Sequence, residues 1–265
     1  MLSAELFNAV LGVAGTSRFL PYDKDRRWSS MKYEQIMVDQ VIHDPGRTVI
    51  PTLSTRGRGM VKVHYYGHSA PSQSETTEWF RTWCDTVNVT AGRVTWFRNT
   101  PTGTTTTRLM LKTFTDQDKR KDSHVTDLKD CPVADTFPAF AEQLRVEGFA
   151  FLYQRIKAGL SDGPILVTVA DRHIVGAIGP LAVLRDATGT RTQPPHYFAV
   201  HPDYRQRGHG TALWRAAMAW GAENGAEYKV FQAASGSAAE RLYMSEAMST
   251  LGFVCSRDVP LHSGV

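Results

Sequence analysis

The chain has 265 residues, of which 42% are apolar, and it carries a formal net charge of +4. This length accommodates one large or two small domains, and the apolar fraction together with six tryptophans predicts a well-formed hydrophobic core. The three cysteines, Cys84, Cys131 and Cys255, are far apart and form no Cys-x-x-Cys pair. They argue against a structural zinc site and a disulfide framework, and they favour a reducing cytoplasm.

Positive charge is concentrated in the first half of the chain. Residues 1–123 contain 17 Lys and Arg against 12 Asp and Glu, whereas residues 124–265 contain 13 against 14. The visible clusters are Arg56 with Arg58, and the run 119–121. They indicate either a solvated face or a surface that docks an acidic partner.

The first predicted elements are helices at residues 3–14 and 30–42, and the second of these has apolar residues near one face. The apolar run Leu6–Val13 is too short to cross a bilayer, and no Lys or Arg precedes it. The sequence therefore predicts neither a transmembrane segment nor a signal peptide.

A strand, a helix and a strand pair are predicted next. The run 60–66 is a predicted strand, and the following helix is predicted over Ser74–Asp85, with Ser74 as its N-cap. Residues 93–98 and 105–114 are rich in β-branched and aromatic residues, so they predict two paired strands joined by a turn at 99–103.

The charged stretch 115–123 is the predicted linker, which gives a first domain of residues 1–123 and a second domain of residues 124–265. Turn residues Asp171-Arg172 between two apolar runs predict a hairpin in the second domain. The elements predicted there are a helical segment at 137–157 interrupted near Gly148, strands at 164–170 and 173–184, a polar loop at 187–195, a strand at 197–200, a helix at 211–224, a strand at 228–233, a helix at 237–250 and a last strand from Gly252.

The six residues Arg205-Gln206-Arg207-Gly208-His209-Gly210 join the predicted strand at 197–200 to the helix that starts at Thr211. The two glycines allow positive φ angles and a close approach of a ligand to the backbone. The free N–H groups and the dipole of the following helix N-terminus favour phosphate. Both arginines add forked, positively charged donors that suit phosphate oxygens. This loop is therefore a predicted phosphate-binding site.

Two common phosphate-binding loops are excluded by their spacing. A P-loop ends in Gly-Lys-Ser/Thr, but this loop ends in Gly-His-Gly-Thr. A dinucleotide-binding loop needs a third glycine where Leu213 stands, and an acidic residue about 20 positions later, where the chain reads Tyr228-Lys229-Val230-Phe231.

A third pattern fits: Arg/Gln-x-x-Gly-x-Gly/Ala after a strand that ends in Val-x-Pro, here Val200-His201-Pro202. With its flanking strand and helix, and with Gly252-Phe253 downstream, this segment resembles the acyl-CoA-binding motif of the GNAT N-acyltransferase superfamily. The resemblance covers about residues 126–253. It implies an α/β fold (mixed α+β) whose mixed sheet is splayed between the motif strand and the next strand. The first half is then a smaller α+β domain or a degenerate GNAT-like lobe.

The resemblance also implies a donor site for acetyl-CoA or another acyl-CoA, without a metal. Backbone groups of Phe198, Ala199 and Val200 would pair with the pantetheine arm, and one N–H there would polarise the acyl carbonyl. Relatives often carry an Asn where Ser235-Gly236-Ser237 stands here. The residues implied to hold the phosphates or the arm are Arg205, Gln206, Arg207, Gly208, His209, Gly210, Thr211, Ser235 and Ser237.

Two residues are candidates for proton transfer. Relatives place a Glu or Asp near the start of the motif strand, and His196 stands there, either as the general base or as a surface histidine after two prolines. Relatives also carry Ala-x-x-Leu-Tyr-x-x-x-Gly-Phe, whose Tyr faces the donor sulfur. Here Tyr243 precedes Gly252 by five residues too many, and counting back places Met248 at the Tyr position. Tyr243 is therefore the general acid on a lengthened helix, or the acid is lost.

Three functions remain open from the sequence. The first is transfer of an acyl group from a pantetheine thioester to a primary amine of a small molecule. The second is an enzyme of antibiotic biosynthesis that takes its acyl or aminoacyl group from an acidic phosphopantetheinyl carrier protein or an aminoacyl-tRNA. The third is a catalytically inactive sensor that binds CoA or a protein. A cytoplasmic monomer or homodimer is expected, with neither DNA nor a membrane as partner.

Overall fold

The computed structural model describes residues 34–54, 59–67, 69–101, 105–119, 124–147, 149–160, 163–185, 189–246 and 248–260. The chain divides into two compact units, one of Met1–Met110 with Gln232–Val265 and the other of Leu111–Phe231. These bounds differ from the predicted division after residue 123, and the roles assigned to the two predicted domains stay predictions. The predicted helix at 3–14 and the Arg56 and Arg58 cluster lie outside the described residues.

Strands and helices alternate along the described chain, which is a mixed α/β protein as the sequence predicts. The strands are β1 (Glu34–Ile36), β2 (Ile42–Asp44), β3 (Arg47–Ser54), β4 (Met60–Gly67), β5 (Ala91–Arg98), β6 (Thr105–Thr113), β7 (Thr126–Asp127), β8 (Leu166–Ala170), β9 (His173–Gly179), β10 (Leu184–Arg185), β11 (Arg191–Thr192), β12 (Tyr197–Val200), β13 (Tyr228–Ala234) and β14 (Ser249–Pro260). The α-helices are α1 (Gln73–Val87), α2 (Phe137–Gln143), α3 (Phe149–Lys157), α4 (His209–Glu223) and α5 (Ala238–Ser245).

The first unit is built on strands in the order β1-β3-β4-β5-β14-β6, and β2 also pairs with β3. β4 and β5 run parallel and are joined through α1. The apolar side of α1 packs on the sheet, because its buried residues include three aromatic rings. The core of this unit comprises Val49, Val61, Val63, Tyr65, Trp79, Phe80, Trp83, Cys84, Val94, Trp96, Phe253, Cys255 and Val259.

The predicted helix at 30–42 is wrong over its described part. The chain there forms β1, a 3-10 turn at Val38–Gln40 and β2. Both strands pair with β3, for example with Ile36 opposite Thr52. Because pairing with a neighbouring strand outweighs a weak local helix preference, the spacing of apolar residues was misleading here.

The predicted pairing of β5 with β6 is also wrong, because β14 lies between them. β14 is antiparallel to β5, with Phe253 opposite Arg98 and Pro260 opposite Ala91. The composition of a segment indicates that it is a strand, but its partner is set by contacts with distant residues. β14 also brings the buried Phe253 and Cys255 into the first core.

Helix α1 begins at a different serine from the one the sequence suggested. Ser72 is the N-cap: its hydroxyl oxygen accepts a hydrogen bond from the Glu75 N–H at 3.2 Å, and the Glu75 carboxylate accepts one from the Ser72 N–H at 3.2 Å. The predicted cap, Ser74, lies inside the first turn. The two reciprocal bonds form a capping box, which satisfies two donors that a helix N-terminus otherwise leaves open.

Replacing Ser72 with alanine is expected to lower the free energy of unfolding by about 1 kcal/mol, because the cap bond is lost. Ser74→Ala is the matched control, and it is expected to change stability by less than about 0.5 kcal/mol. Urea denaturation of both variants measures the difference. Equal effects of the two substitutions would contradict the assignment of Ser72 as the cap.

The second unit contains a four-stranded sheet in the order β12-β9-β8-β7. Helices α2 and α3 cover one face, and α4 packs against β8 and β9. The predicted helical segment at 137–157 is confirmed as α2 and α3, with a 3-10 turn at Arg145–Glu147 between them. The core under these helices comprises Cys131, Phe137, Phe140, Ala141, Leu144, Phe149, Leu152, Ile165, Val167, Ile174, Ala177 and Ala199.

The predicted hairpin of the second unit is confirmed. β8 and β9 are antiparallel and meet at a two-residue turn formed by Asp171 and Arg172. Both turn residues have positive φ angles, of 49° and 63°. A turn with two positive φ angles matches the right-handed twist of the flanking strands, which explains why so short a connection suffices.

The splay predicted next to the motif strand is confirmed within the second unit. β12 is the edge of the four-stranded sheet, whereas β13 pairs in parallel with β11, which in turn pairs with β10. The motif strand and the strand that follows it therefore belong to different sheets, although a single helix, α4, connects them.

The predicted helix at 237–250 is wrong in its second half. α5 ends at Ser245, and β14 already begins at Ser249. β14 belongs to the sheet of the first unit, where it pairs with β5 from Phe253 onward, and a helix cannot continue into this strand. Among the described residues, no helix is long and apolar enough to cross a membrane.

Candidate functional site

The motif strand β12 has one edge available for a ligand. On its other edge it pairs with β9, and the His201 N–H, just past its end, donates to the Val175 carbonyl at 2.8 Å. Backbone groups alternate in direction along an antiparallel strand, so Tyr197 and Ala199 also face β9. Phe198 and Val200 then direct their N–H and C=O groups away from β9, toward the open edge.

The turn after β12 is fastened to the strand by Arg205. Its Nε donates to the Val200 carbonyl at 3.0 Å, and its guanidinium also donates to Glu147 Oε1 at 3.2 Å. This arginine was predicted as a phosphate ligand from the sequence. In the structure part of its donor fork is used to hold the loop against the strand end and the 145–147 turn.

The backbone of the loop has an unusual conformation. Gln206 has a φ of 62° and Gly208 a φ of 88°, with Arg207 between them. Positive and negative φ values in alternation form concave rows of N–H groups that suit anions. Gly208 is exposed, and a Cβ added there would meet nothing within 4 Å. The space in front of this backbone is therefore open to a ligand.

Helix α4 begins directly behind this loop, with Gly208 as its N-cap and no side-chain hydrogen bond at the cap. The Ala212 N–H already donates to the Gly208 carbonyl at 3.0 Å. The N–H groups before it, up to Thr211, lie in the first turn, where a helix offers them no partner of its own. Free N–H groups and a helix dipole in this arrangement suit a phosphate group.

Two further side chains of the loop are held by Tyr204. The Arg207 guanidinium lies over the Tyr204 ring at 5.0 Å from its centroid, and the His209 ring meets it edge-on at 6.4 Å. The Tyr204 hydroxyl donates to Asp171 Oδ2 at 2.8 Å. Burial, and then the positive charge of Arg207, lower the pKa of His209 below its usual value.

The segment that leads into β12 is held in place from two sides. The buried Gln193 donates from Nε2 to the Ala217 carbonyl at 3.0 Å. The buried Lys229 donates from Nζ to the Pro194 carbonyl at 2.8 Å. His196 follows directly and is half-buried, with its ring 6.4 Å from the ring of Trp214. The predicted base therefore stands beside β12 on a fixed segment, and not on a freely exposed loop.

Trp214 connects the helix to the motif strand. It is 1% exposed and contacts the rings of His196, Phe198 and Phe231 at centroid distances of 6.4, 6.5 and 5.1 Å. This tryptophan was not predicted as part of the site. In the sequence it is an apolar residue with three apolar neighbours on a predicted helix, and ordinary core residues show the same pattern.

The remaining predicted site residues, Ser235, Ser237 and Tyr243, belong to the first unit. Ser235 is exposed, and the Ser237 hydroxyl is the N-cap of α5, where it accepts from the Glu240 N–H at 3.1 Å. Tyr243 lies on α5 with 8% of its surface exposed, and burial raises the pKa of its phenol. Met248, the alternative position, lies outside the helix. The roles of these residues stay predictions.

The turn before α5 is fixed by a charged network in the first unit. Glu240 accepts from the Gly236 N–H at 2.6 Å and from Arg108 Nε at 2.6 Å. The Arg108 guanidinium also lies over the ring of Phe253 at 4.7 Å. Arg108, and then the Gly236 N–H, lower the pKa of Glu240. Where relatives often have an Asn, this chain therefore has a turn that is fastened by a carboxylate.

The loop and the N-terminus of α4 thus lie directly after a strand with an open edge, an arrangement that suits a phosphate-bearing ligand. The sequence profile of the Acetyltransferase (GNAT) family matches residues 134–246, a range that contains α2, α3, the motif strand, the loop, α4 and α5. The matched range, somewhat less than half of the chain, is therefore similar to the acetyltransferase domains of the GNAT family. Enzymes of this family generally use an acyl-CoA donor and act on amine acceptors.

Solved structures of the same fold extend over both units. An acetyltransferase from the GNAT family of Colwellia psychrerythraea is 11% identical, covers 96% of each chain and has a TM-score of 0.53. A GCN5-related N-acetyltransferase from Sphaerobacter thermophilus is 16% identical and covers 82% of this chain and 78% of that chain, with a TM-score of 0.52. At these identities the likeness concerns the fold. Comparison with curated protein sequences finds no match.

A tandem GNAT protein from the clavulanic acid biosynthesis pathway also has this fold. It is 12% identical, and the alignment covers 85% of this chain and 83% of that chain, with a TM-score of 0.50. The first unit of the present chain contains a parallel β4-α1-β5 connection. Unlike the β12 and β13 strands, β4 and β5 are paired directly, from Val61 opposite Gly92 to Tyr65 opposite Trp96.

Proposed function

We propose that the protein transfers an acyl group from the thioester of acetyl-CoA or another acyl-CoA to a primary amine of a small molecule. The observation that carries this proposal is the direct succession of an open strand edge, a loop with two positive φ angles and the uncapped N-terminus of α4. The open strand edge suits the amide-rich pantetheine arm of the donor. The loop and the helix N-terminus suit the donor's pyrophosphate.

The residues present fit such a donor. The N–H groups from Arg207 to Thr211 would bind the pyrophosphate oxygens, and the outward groups of Phe198 and the N–H of Val200 would pair with the arm, since the Val200 carbonyl already accepts from Arg205. A backbone N–H at Phe198 would lie where the acyl carbonyl needs a donor, since the oxyanion that develops there must be stabilised. Donor binding would thus use mostly backbone atoms, which explains why the site tolerates a loop sequence that differs from those of other phosphate-binding proteins.

His196 is the proposed base. An alkylamine has a pKa of about 10.4 and must lose a proton before its nitrogen can bond to the acyl carbon. A half-buried imidazole beside β12 accepts that proton, directly or through water. Cleavage of the carbon–sulfur bond then leaves a thiolate that must be protonated. Tyr243 is the proposed donor of that proton, since a phenol with an ordinary pKa of about 10 is protonated at neutral pH, and burial raises the pKa of Tyr243 further.

The test compares two variants that differ by one charge. Gly208→Asn and Gly208→Asp have side chains of equal size, and both residues tolerate a positive φ better than most others. An aspartate there would repel the donor's phosphates, so the KM for acetyl-CoA is expected to be at least about tenfold higher in the Asp variant than in the Asn variant. Release of free thiol in the presence of a panel of primary amines measures it.

Three results of that assay would contradict the proposal in different ways. Equal KM values in the two variants would show that the phosphates of the donor do not bind at this loop. Binding of CoA by the wild-type protein without amine-dependent thiol release would favour the inactive sensor. Neither binding nor turnover would overturn the assignment of the donor site as a whole.

The second candidate function is a transferase of a natural-product pathway whose donor is a carrier protein or an aminoacyl-tRNA. Whole-chain likeness to a tandem GNAT protein of clavulanic acid biosynthesis favours it, as does the positive charge of residues 1–123. Rapid transfer from acetyl-CoA to a simple amine, without any macromolecule, would remove the reason for this candidate. Turnover that appears only with a carrier and weakens with added salt would support it.

Donor binding is expected to tighten as the pH falls from 8 to 6. The pKa of His209 is low in the free protein, and a bound pyrophosphate would raise it because negative charge favours the imidazolium. Binding therefore takes up a proton, and the affinity for CoA is expected to rise by about threefold over this range. Calorimetric titration of the wild type and His209→Gln at both pH values measures it; the variant should lose the pH dependence.

The same histidine has the opposite effect on the free protein. Since its folded pKa lies below the unfolded value of about 6.5, the unfolded state binds the proton more readily. The contribution of His209 to stability is therefore present above that pH and is lost as the pH falls through it. A lower pH is therefore expected to reduce the stability of the ligand-free protein and to increase its affinity for CoA.

A further inference from the structure

Tyr204 occupies a central place among the charged groups of the loop. Its ring contacts the Arg207 guanidinium on one side, the His209 ring edge-on, and the ring of His201 at 5.8 Å. Its hydroxyl reaches Asp171 on the β8–β9 turn. One tyrosine therefore connects the phosphate loop to a turn of the sheet that is distant in sequence.

This contact restrains Arg207, which is otherwise exposed. An arginine side chain free in solvent samples many rotamers, and a ligand that needs it in one place must order it at an entropic cost. A guanidinium that already lies over an aromatic face has lost part of that freedom before the ligand arrives. Arg207 stands between the two positive-φ residues of the loop, beside the first-turn N–H groups, so its charge is held where phosphate would bind.

Asp171 in turn holds Tyr204. The phenol donates a hydrogen bond to the Asp171 carboxylate, and this hydrogen bond raises the pKa of Tyr204 above its usual value. Asp171 has a positive φ in the turn, as does Arg172. The turn conformation is thus set by the hairpin, independently of the loop, and it provides a fixed point for the tyrosine.

We infer that Tyr204, fastened by Asp171, is a positioning residue that holds Arg207 for the phosphates of the donor and so sets the preference for a nucleotide-bearing thioester over one without phosphate. This inference rests on the proposed function. Arg205, by contrast, is tied to Val200 and Glu147, and it holds the loop in place.

The test uses two donors with the same acyl group: acetyl-CoA, and acetyl-pantetheine, which has no phosphate. In Tyr204→Leu the ring is lost, and the KM for acetyl-CoA is expected to rise about tenfold while kcat stays within about twofold. The KM for acetyl-pantetheine is expected to stay unchanged. Tyr204→Phe keeps the ring but loses the hydroxyl that Asp171 holds, so its KM for acetyl-CoA should lie between those of the wild type and Tyr204→Leu. Asp171→Asn keeps an oxygen that can accept the phenol hydrogen bond, so it should have the smaller effect.

Tyr153 provides a matched control on α3. Its ring also carries a cation, Lys157, at 5.8 Å, but this pair lies on a helix of another segment. Tyr153→Leu is expected to leave the KM for both donors unchanged. Equal losses with acetyl-CoA and acetyl-pantetheine in Tyr204→Leu would show a purely structural role for Tyr204 and overturn the inference.

The failure of the inference can be distinguished from the failure of the proposed function. If the wild-type protein uses acetyl-CoA in preference to acetyl-pantetheine, and Tyr204→Leu keeps that preference, the proposed function stands and the inference is wrong. If the wild-type protein transfers from neither donor and does not bind CoA in calorimetry, the proposed function itself is wrong.

Discussion

Replacing Gly163 with alanine is expected to destabilise the second unit by about 4 kcal/mol or more, one of the largest effects open to a single methyl group. Gly163 has a φ of 128°, and a Cβ there would lie 1.9 Å from the Leu181 carbonyl oxygen. Residues with side chains rarely adopt this conformation, and the contact is with backbone, which cannot rotate away.

The surroundings of Gly163 leave little room for adjustment. The Leu181 N–H donates to the Pro164 carbonyl at 2.8 Å, so the segment entering β8 and the segment leaving β9 are bonded to each other at this point. Moving them apart would break that bond. It would also disturb Ile165 and Leu181, which are 6% and 1% exposed.

Gly159→Ala is the matched control for this prediction. Gly159 also has a positive φ, of 72°, but a Cβ added there would meet nothing within 4 Å. Only backbone strain remains, which costs about 1 kcal/mol. Chemical denaturation of both variants measures the difference, and a Gly163 variant as stable as the Gly159 variant would show that the Gly163–Leu181 contact relaxes.

Trp214→Ala is expected to lower the free energy of unfolding by about 4 kcal/mol and to reduce turnover as well. The side chain is the largest among the fully buried ones, and its removal leaves a cavity between α4, β12 and β13 within the second unit. Phe198 and His196 then lose the ring against which they pack. The geometry of the proposed base and of the strand edge would be disturbed together.

Trp214→Phe distinguishes the effect of the ring on stability from its effect on the alignment of His196 and Phe198. It keeps an aromatic ring in the same place and is expected to cost about 1–2 kcal/mol, with a smaller loss of kcat. Thermal unfolding and acyl-transfer assays of both variants measure the two effects. A Trp214→Ala protein that keeps full kcat below its unfolding temperature would exclude a role for this ring in aligning His196 and Phe198.

The conformation of the chain around residues 205–210 could be predicted from sequence because the information for it is local. Two glycines, a preceding Val-x-Pro and a following amphipathic run determine the strand, the turn and the helix N-terminus. The hydrogen bonds of Arg205 could not be predicted, because its partners are a carbonyl five residues earlier in the chain and Glu147 in another segment. Asp171 and Tyr204 were missed for the same reason: nothing in the sequence brings the β8–β9 turn to the loop.

The errors in the first half have a common physical cause. β1 and β2 are short and carry mixed composition, so their strand conformation depends on pairing with β3. The partner of β5 is likewise chosen by a segment more than 150 residues away. Helix α1 was recognised, since its aromatic residues repeat at helical spacing, but its cap was placed two residues late because Ser72 and Ser74 are both suitable caps.

The position of β14 determines the order in which this chain can fold during synthesis. The second unit is one continuous stretch, Leu111–Phe231, so all of its residues are synthesised before β14. The first unit needs Gln232–Val265 as well, and β14 lies inside its sheet, between β5 and β6. Although domains usually fold from the N-terminus as they emerge, the sheet of the first unit is completed only after β14 has left the ribosome.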